Sequence, residues 1–139
     1  MRAILVASAP NDSFENLYVP QPFDLIIGVD GGCKNITKYE IDIAFGDFDS
    51  LTVPPNAKKV YRYKKEKDET DLELAVQQMI KRDEIDEIII YNATGGRLDH
   101  FLCNLKLLVV QVQNLQFRLL NLSLGLFQLI YNHILSCHF

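Results

Sequence analysis

An open, mainly parallel, doubly wound α/β sheet with helices on both faces is the fold this sequence predicts, and three observations predict it. Short runs rich in Ile, Leu and Val recur along the chain and end at small or acidic residues, as strands buried on both faces do. Segments of helical periodicity alternate with those runs. Acidic and glycine-rich segments fall where the runs end, the edge at which such sheets carry their sites.

Taken in order, Arg2 to Ser8 and Asp24 to Asp30 read as the first two strands, both central. Between them Pro10 to Pro22 is a loop with three prolines and a short helix near Ser13 to Leu17. Asp30-Gly31-Gly32 closes the second strand, and Cys33 to Tyr39 reads as a short helix. Ile41 to Phe45 is the third strand, and Lys58 to Tyr63 a fourth with Val60 buried. The clearest helix opens at Thr70-Asp71-Leu72-Glu73. Thr70 and Glu73 have capping-box spacing, and Leu72, Ala75, Val76, Met79 and Ile80 form one apolar stripe. Glu87 to Tyr91 is a buried strand running into Gly95-Gly96-Arg97. A second helix follows with Leu98, Phe101, Leu102, Leu105, Val109 and Val112 on its apolar side, and Gln116 to Leu120 supplies a last strand. This is a Rossmann-like arrangement without internal repeats.

At 139 residues, with 48% hydrophobic and 23% charged residues, the chain has the balance of one domain with a buried core. A net charge of -4 and a pI near 5.3 argue against a nucleic-acid backbone binder, so a polyanionic partner would need a metal. Cys33, Cys103 and Cys137 are scattered without CxxC spacing, which indicates neither a disulfide framework nor a zinc site and fits a reducing cytoplasm. The apolar N-terminal run stops at Pro10, too short for a signal peptide. From Leu119 to Phe139 there is no Asp, Glu, Lys or Arg. Asn121, Gln128, Asn132 and His133 interrupt that stretch, so it does not read as a membrane span.

Asp47-Phe48-Asp49-Ser50 places two carboxylates two residues apart at a strand end. Such a pair repels unless a cation or shared proton intervenes. Asp30, Asp68, Asp71 and Asp99 join them on the same predicted edge, and Arg97 is the one base inside these segments. That balance suits Mg²⁺ carrying phosphate groups. Gly95 and Gly96 let backbone N–H groups approach, Arg97 can fork onto a phosphate, and Arg97, His100 and Asn104 share a helix face. Each segment also has an ordinary use: Thr70 and Glu73 as a cap, Asp71 and Asp99 as first-turn acids, Gly31 and Gly32 as a turn. No GxxxxGK[ST] or GxGxxG is present. Asp47-x-Asp49-Ser50 also resembles the nucleophile motif of haloacid-dehalogenase-type phosphatases, a reading that leaves Asp68 to Asp71 and Gly95 to His100 unexplained.

Together, Asp30-Gly31-Gly32, Gly46-Asp47-Phe48-Asp49-Ser50, Asp68-Glu69-Thr70-Asp71-Leu72-Glu73 and Gly95-Gly96-Arg97-Leu98-Asp99-His100 with Asn104 resemble the thiamine pyrophosphokinase family over roughly residues 2 to 120. The resemblance implies diphosphoryl transfer from ATP to the hydroxyl of thiamine, with Mg²⁺ as cofactor and a homodimer as the working form. It implies Asp47, Asp49, Asp71 and Asp99 as catalytic and metal-holding residues. Asp30, Gly31, Gly32, Ser50, Asp68, Thr70, Gly95, Gly96, Arg97, His100 and Asn104 would seat ATP. Residues 1–120 are then the ATP- and Mg-binding catalytic domain. The apolar tail 121–139 lacks the period-2 alternation of the C-terminal β-sandwich that family members carry, and reads as a truncated or out-of-frame remnant of it. A related hydroxymethyl-dihydropterin diphosphokinase and a non-catalytic nucleotide-binding remnant are the alternatives.

Overall fold

Strands that are apolar along their whole length are stable only where both faces are covered, and the chain meets that requirement with one sheet. The computed structural model describes residues 1–10, 12–49, 51–64, 71–93 and 116–120. Among them β1 (Arg2–Val6), β2 (Leu25–Val29), β3 (Ile41–Gly46), β4 (Ala57–Arg62), β5 (Glu87–Tyr91) and β6 (Gln116–Leu120) form a six-stranded sheet in the order β4-β3-β2-β1-β5-β6. Every neighbouring pair is parallel; Ile4, for instance, lies between Ile26 and Ile89. As predicted, β1 and β2 are central.

Successive residues of a strand face opposite sides, so the sheet builds two cores. Ala3 and Leu5 join Ile27, Phe45, Ile88 and Ile90 beneath α2 (Asp71–Ile80), which buries Ala75, Val76 and Met79 as its periodicity predicts. Ile4, Val6, Ala44 and Ile89 face the other side. There they meet Phe14 of α1 (Ser13–Leu17), Tyr18 and Cys33. Burial of side chains the size of Phe14, Val76 or Met79 stabilises by roughly 1.5–3 kcal/mol each. α1 is far too short to stand alone. It is held by Asn92, whose Oδ1 accepts hydrogen bonds from the Phe14 N–H (3.0 Å) and the Ser13 hydroxyl (2.6 Å).

Two local expectations are corrected. The helix after β2 is a 3-10 helix over Asp30–Asn35 rather than one over Cys33 to Tyr39. It begins at the strand end because Gly32 lets it lie against β1: a Cβ there would come within 1.9 Å of the Val6 carbonyl oxygen. Val60 is 40% exposed, not buried, since β4 is the sheet edge and the described residues between β3 and β4 include no covering helix. The predicted helix from Leu98 onwards, the Thr70 cap and the tail 121–139 lie outside the described residues. Among the described residues no helix is long and apolar enough to cross a membrane.

At the edge where β1 and β2 begin, charges are matched. Arg2 donates to both oxygens of Asp24 (2.9 and 2.6 Å), and Tyr18 (2.7 Å) and the Gln21 N–H (3.0 Å) donate to it as well. Burial alone would raise the Asp24 pKa. The hydrogen bonds from Arg2 and Tyr18 outweigh it and hold the carboxyl below its ordinary 3.8. A depressed carboxyl stabilises the fold above its unfolded pKa, and that stability is lost as pH falls through the folded value. Asp24→Asn is therefore expected to lower stability by about 3 kcal/mol at pH 7 in urea denaturation, because it leaves a mostly buried guanidinium without its anion. The deficit should shrink below pH 3.8; a deficit of constant size would show that packing, not charge, is lost.

Candidate functional site

Parallel pairing brings the ends of β2, β3 and β4 to one edge, and the acidic residues that follow them meet there. Asp30 follows β2, Asp47 follows β3 and Asp71 opens α2. One oxygen from each lies within 4.8 Å of the others, and all three residues are half-buried. Among the described residues this is the one such group of metal-ligating side chains. Burial raises the pKa of Asp30, and the charges of Asp47 and Asp71 raise it further, against hydrogen bonds from the N–H groups of Phe48 and Gly31. Asp71 gains from its place in the first turn of a helix, where the dipole favours an anion.

The backbone is bent to make this approach. A Cβ on Gly46 would lie 3.0 Å from the Asp30 Cα, and the φ of 147° at Gly46 belongs to glycine, so β2 and β3 converge only with glycine here. Asp30 (φ 48°), Phe48 (φ 62°) and Asn92 (φ 56°) are left-handed at the exits of β2, β3 and β5. For Phe that conformation is an outlier of the kind that clusters at functional sites. Phe48 is held in it by its buried ring and by its N–H donating to Asp30 Oδ1 at 3.1 Å.

This bend separates the pair that the sequence suggested. With Phe48 left-handed the run 47–49 is not extended, and Asp47 Oδ1 instead accepts the Asp49 N–H at 3.0 Å, an Asx turn. Asp49 is exposed and is not in the group; Asp30, which the sequence reading set on the same acidic edge and the family resemblance gave to the ATP seat, is. Gly31 and Gly32 lie in the 3-10 helix next to it. Ser50, Asp68, Thr70, Gly95, Gly96, Arg97, Asp99, His100 and Asn104 lie outside the described residues.

Sequence reading also missed Asn92. It is 1% exposed at the end of β5, and besides anchoring α1 its Nδ2 donates to the Ala9 carbonyl at 3.0 Å. Its amide thus ties the β1 exit to the β5 exit. The available signal was an Asn directly after a strand, the residue most tolerant of a left-handed turn after Gly.

The donor set suits a small hard cation. Octahedral oxygen ligands about 2.1 Å from Mg²⁺-sized ions stand roughly 3 to 4.2 Å apart, so the trio needs only a slight closing of rotamers. A thiol nucleophile is not on offer: burial, then Asp30, pushes Cys33 up to about 11. A cavity of about 470 Å³ lies elsewhere, against Tyr39, Ile41 and Pro54. Its lining includes none of the three aspartates, and the chemistry, not the concavity, marks the site.

Fold and site together define a doubly wound α/β domain with three aspartates that could hold a metal ion gathered at its carboxyl edge. Residues 19–119 match the family model described as thiamin pyrophosphokinase, catalytic domain. The chain is 38% identical over 130 residues to the thiamine pyrophosphokinase of Bacillus subtilis (strain 168), covering 84% of this chain and 59% of that protein. A solved structure of a thiamin pyrophosphokinase family protein from Enterococcus faecalis superposes with a TM-score of 0.66 at 30% identity, covering 84% of this chain and 61% of that one. That of thiamine pyrophosphokinase from Bacillus subtilis gives 0.64 at 33% identity, with 86% and 60% covered. The chain belongs to the thiamin pyrophosphokinase family and spans about three fifths of the length of these relatives.

Removing one of three mutually repelling charges should relieve the fold. Asp30→Asn keeps the acceptor for the Phe48 N–H and is expected to raise the melting temperature in metal-free buffer by about 4 °C. It should also cut the further rise that a divalent cation gives the wild type. An undiminished cation response in the variant would remove Asp30 from the metal group.

Proposed function

We propose that this chain carries the nucleotide and metal half of a thiamine pyrophosphokinase site, transferring the diphosphate of ATP to the hydroxyl of thiamine. The observation that carries the reading is the Asp30, Asp47, Asp71 group at the carboxyl edge of a chain of this family. These residues would hold Mg²⁺, which when bound offsets phosphate charge and polarises the phosphorus under attack. In the transfer the thiamine oxygen bonds to the β-phosphorus, the bridge to the α-phosphorus breaks, and AMP leaves. A carboxylate of this edge takes the hydroxyl proton.

The remaining assignments rest on the motifs. Asp49 and Asp99 complete the acidic edge, with Asp49 in the outer position its exposure suggests. Gly31, Gly32, Ser50, Asp68, Thr70, Gly95, Gly96, Arg97, His100 and Asn104 seat ATP, within a nucleotide domain of residues 1–120. Catalysis in this reading is positioning plus charge neutralisation, with no covalent intermediate on the protein. The family resemblance supports a homodimer, and the unpaired Cys33 a reducing, cytoplasmic setting.

The test is AMP formation from Mg·ATP with thiamine or with hydroxymethyl-dihydropterin as acceptor. Thiamine-dependent AMP is expected, and Asp47→Asn should lower it on the order of 100-fold, the scale of losing one preorganised electrostatic contact. AMP formed with the pterin alone would transfer the assignment to the related diphosphokinase.

A further inference from the structure

A cation at this edge is left over once the carboxylates are assigned. Arg62 is the last residue of β4 and pairs in register with Gly46, one residue before Asp47. Its guanidinium carbon stands over the Phe48 ring, 5.3 Å from the centroid. Phe48 therefore links the two halves of the site: its N–H is fixed on Asp30 Oδ1 and its ring carries the arginine. By contrast, Arg2 is paired with Asp24 at 2.6 Å, and Arg82 lies 3.9 Å from Glu84. Arg62 is exposed and forms no ion pair among the described residues, although acidic side chains crowd the neighbouring strand end.

Cation–π attraction to an aromatic ring holds a guanidinium without requiring an anionic partner for its N–H donors. A guanidinium held over a ring, beside a group of three aspartates and in no ion pair among the described residues, is prepared for an anion that accepts two hydrogen bonds, such as a phosphate. The charges require one as well. A single divalent cation does not offset three aspartates and a triphosphate together, so further cations must approach the phosphates. We propose that Arg62, oriented by Phe48, is a phosphate-binding residue that engages the polyphosphate chain of the nucleotide beside the metal. This rests on the nucleotide reading given above, and adds to it a contact from β4, outside the acidic and glycine-rich segments.

Titration calorimetry of the full chain with Mg·ATP, magnesium tripolyphosphate and adenosine tests it. Arg62→Gln, at an exposed position, is expected to weaken Mg·ATP and magnesium tripolyphosphate by at least about tenfold, as loss of a charged hydrogen bond does, and to leave adenosine unchanged. Arg62→Lys should recover only part of the loss, because an ammonium has no fork. Wild-type binding of Mg·ATP matched by Arg62→Gln would overturn the role of Arg62 alone. Absence of Mg·ATP binding by the wild type would overturn the nucleotide reading on which it stands.

Discussion

Six strands that run the same way must all end at the same edge, and the rest of this structure depends on that constraint. Residues 30, 47 and 71 are far apart in the chain, and no local interaction would bring their carboxylates within 4.8 Å. Parallel pairing does so because Ile27, Ile43 and their neighbours are buried in register, fixing where each strand stops. The driving force is apolar burial on two faces, and the juxtaposition of charge is its by-product. A one-residue slip of β3 against β2 would turn Ile43 and Phe45 out of their core and would also move Asp47 away from Asp30.

The site is therefore strained in ways that the core offsets. Three residues other than glycine adopt left-handed backbone at the strand exits, and Asp30 is raised by burial and by two like charges. Each left-handed residue costs on the order of 1–2 kcal/mol. What holds them is local and specific. Phe48 has its ring in the core and its N–H on Asp30, and Asn92 has its amide shared among Ser13, Phe14 and Ala9. The constraints that position the edge are thus built from the same residues that bend the chain.

Much of this was legible in the sequence. β1, β2, β3, β5 and β6 announce themselves as apolar runs, α2 by its stripe, and the site's edge by acids and glycines where runs end. What was not legible depended on contacts across the fold. Val60 has the composition of a buried residue but sits on an edge strand. Asp49 has the spacing of a ligand, yet the dihedral of Phe48 decides which side it faces, and no propensity argument places a Phe in that region. Asn92 and Arg62 belong to no motif; each matters through a partner distant in sequence, Ser13 and Phe14 for one and Phe48 for the other.

The two ends of the strands carry charge in different arrangements. Where the strands begin, acids meet bases: Asp24 takes Arg2, Asp86 takes the N-terminal ammonium, and Asp42 takes Lys58. Where the strands end, Asp30, Asp47 and Asp71 are gathered against one another, and the nearby arginine rests on a ring instead of on a carboxylate. An edge that concentrates like charge and keeps a forked cation uncommitted is arranged for a ligand carrying both signs, which is what a metal-bound polyphosphate is.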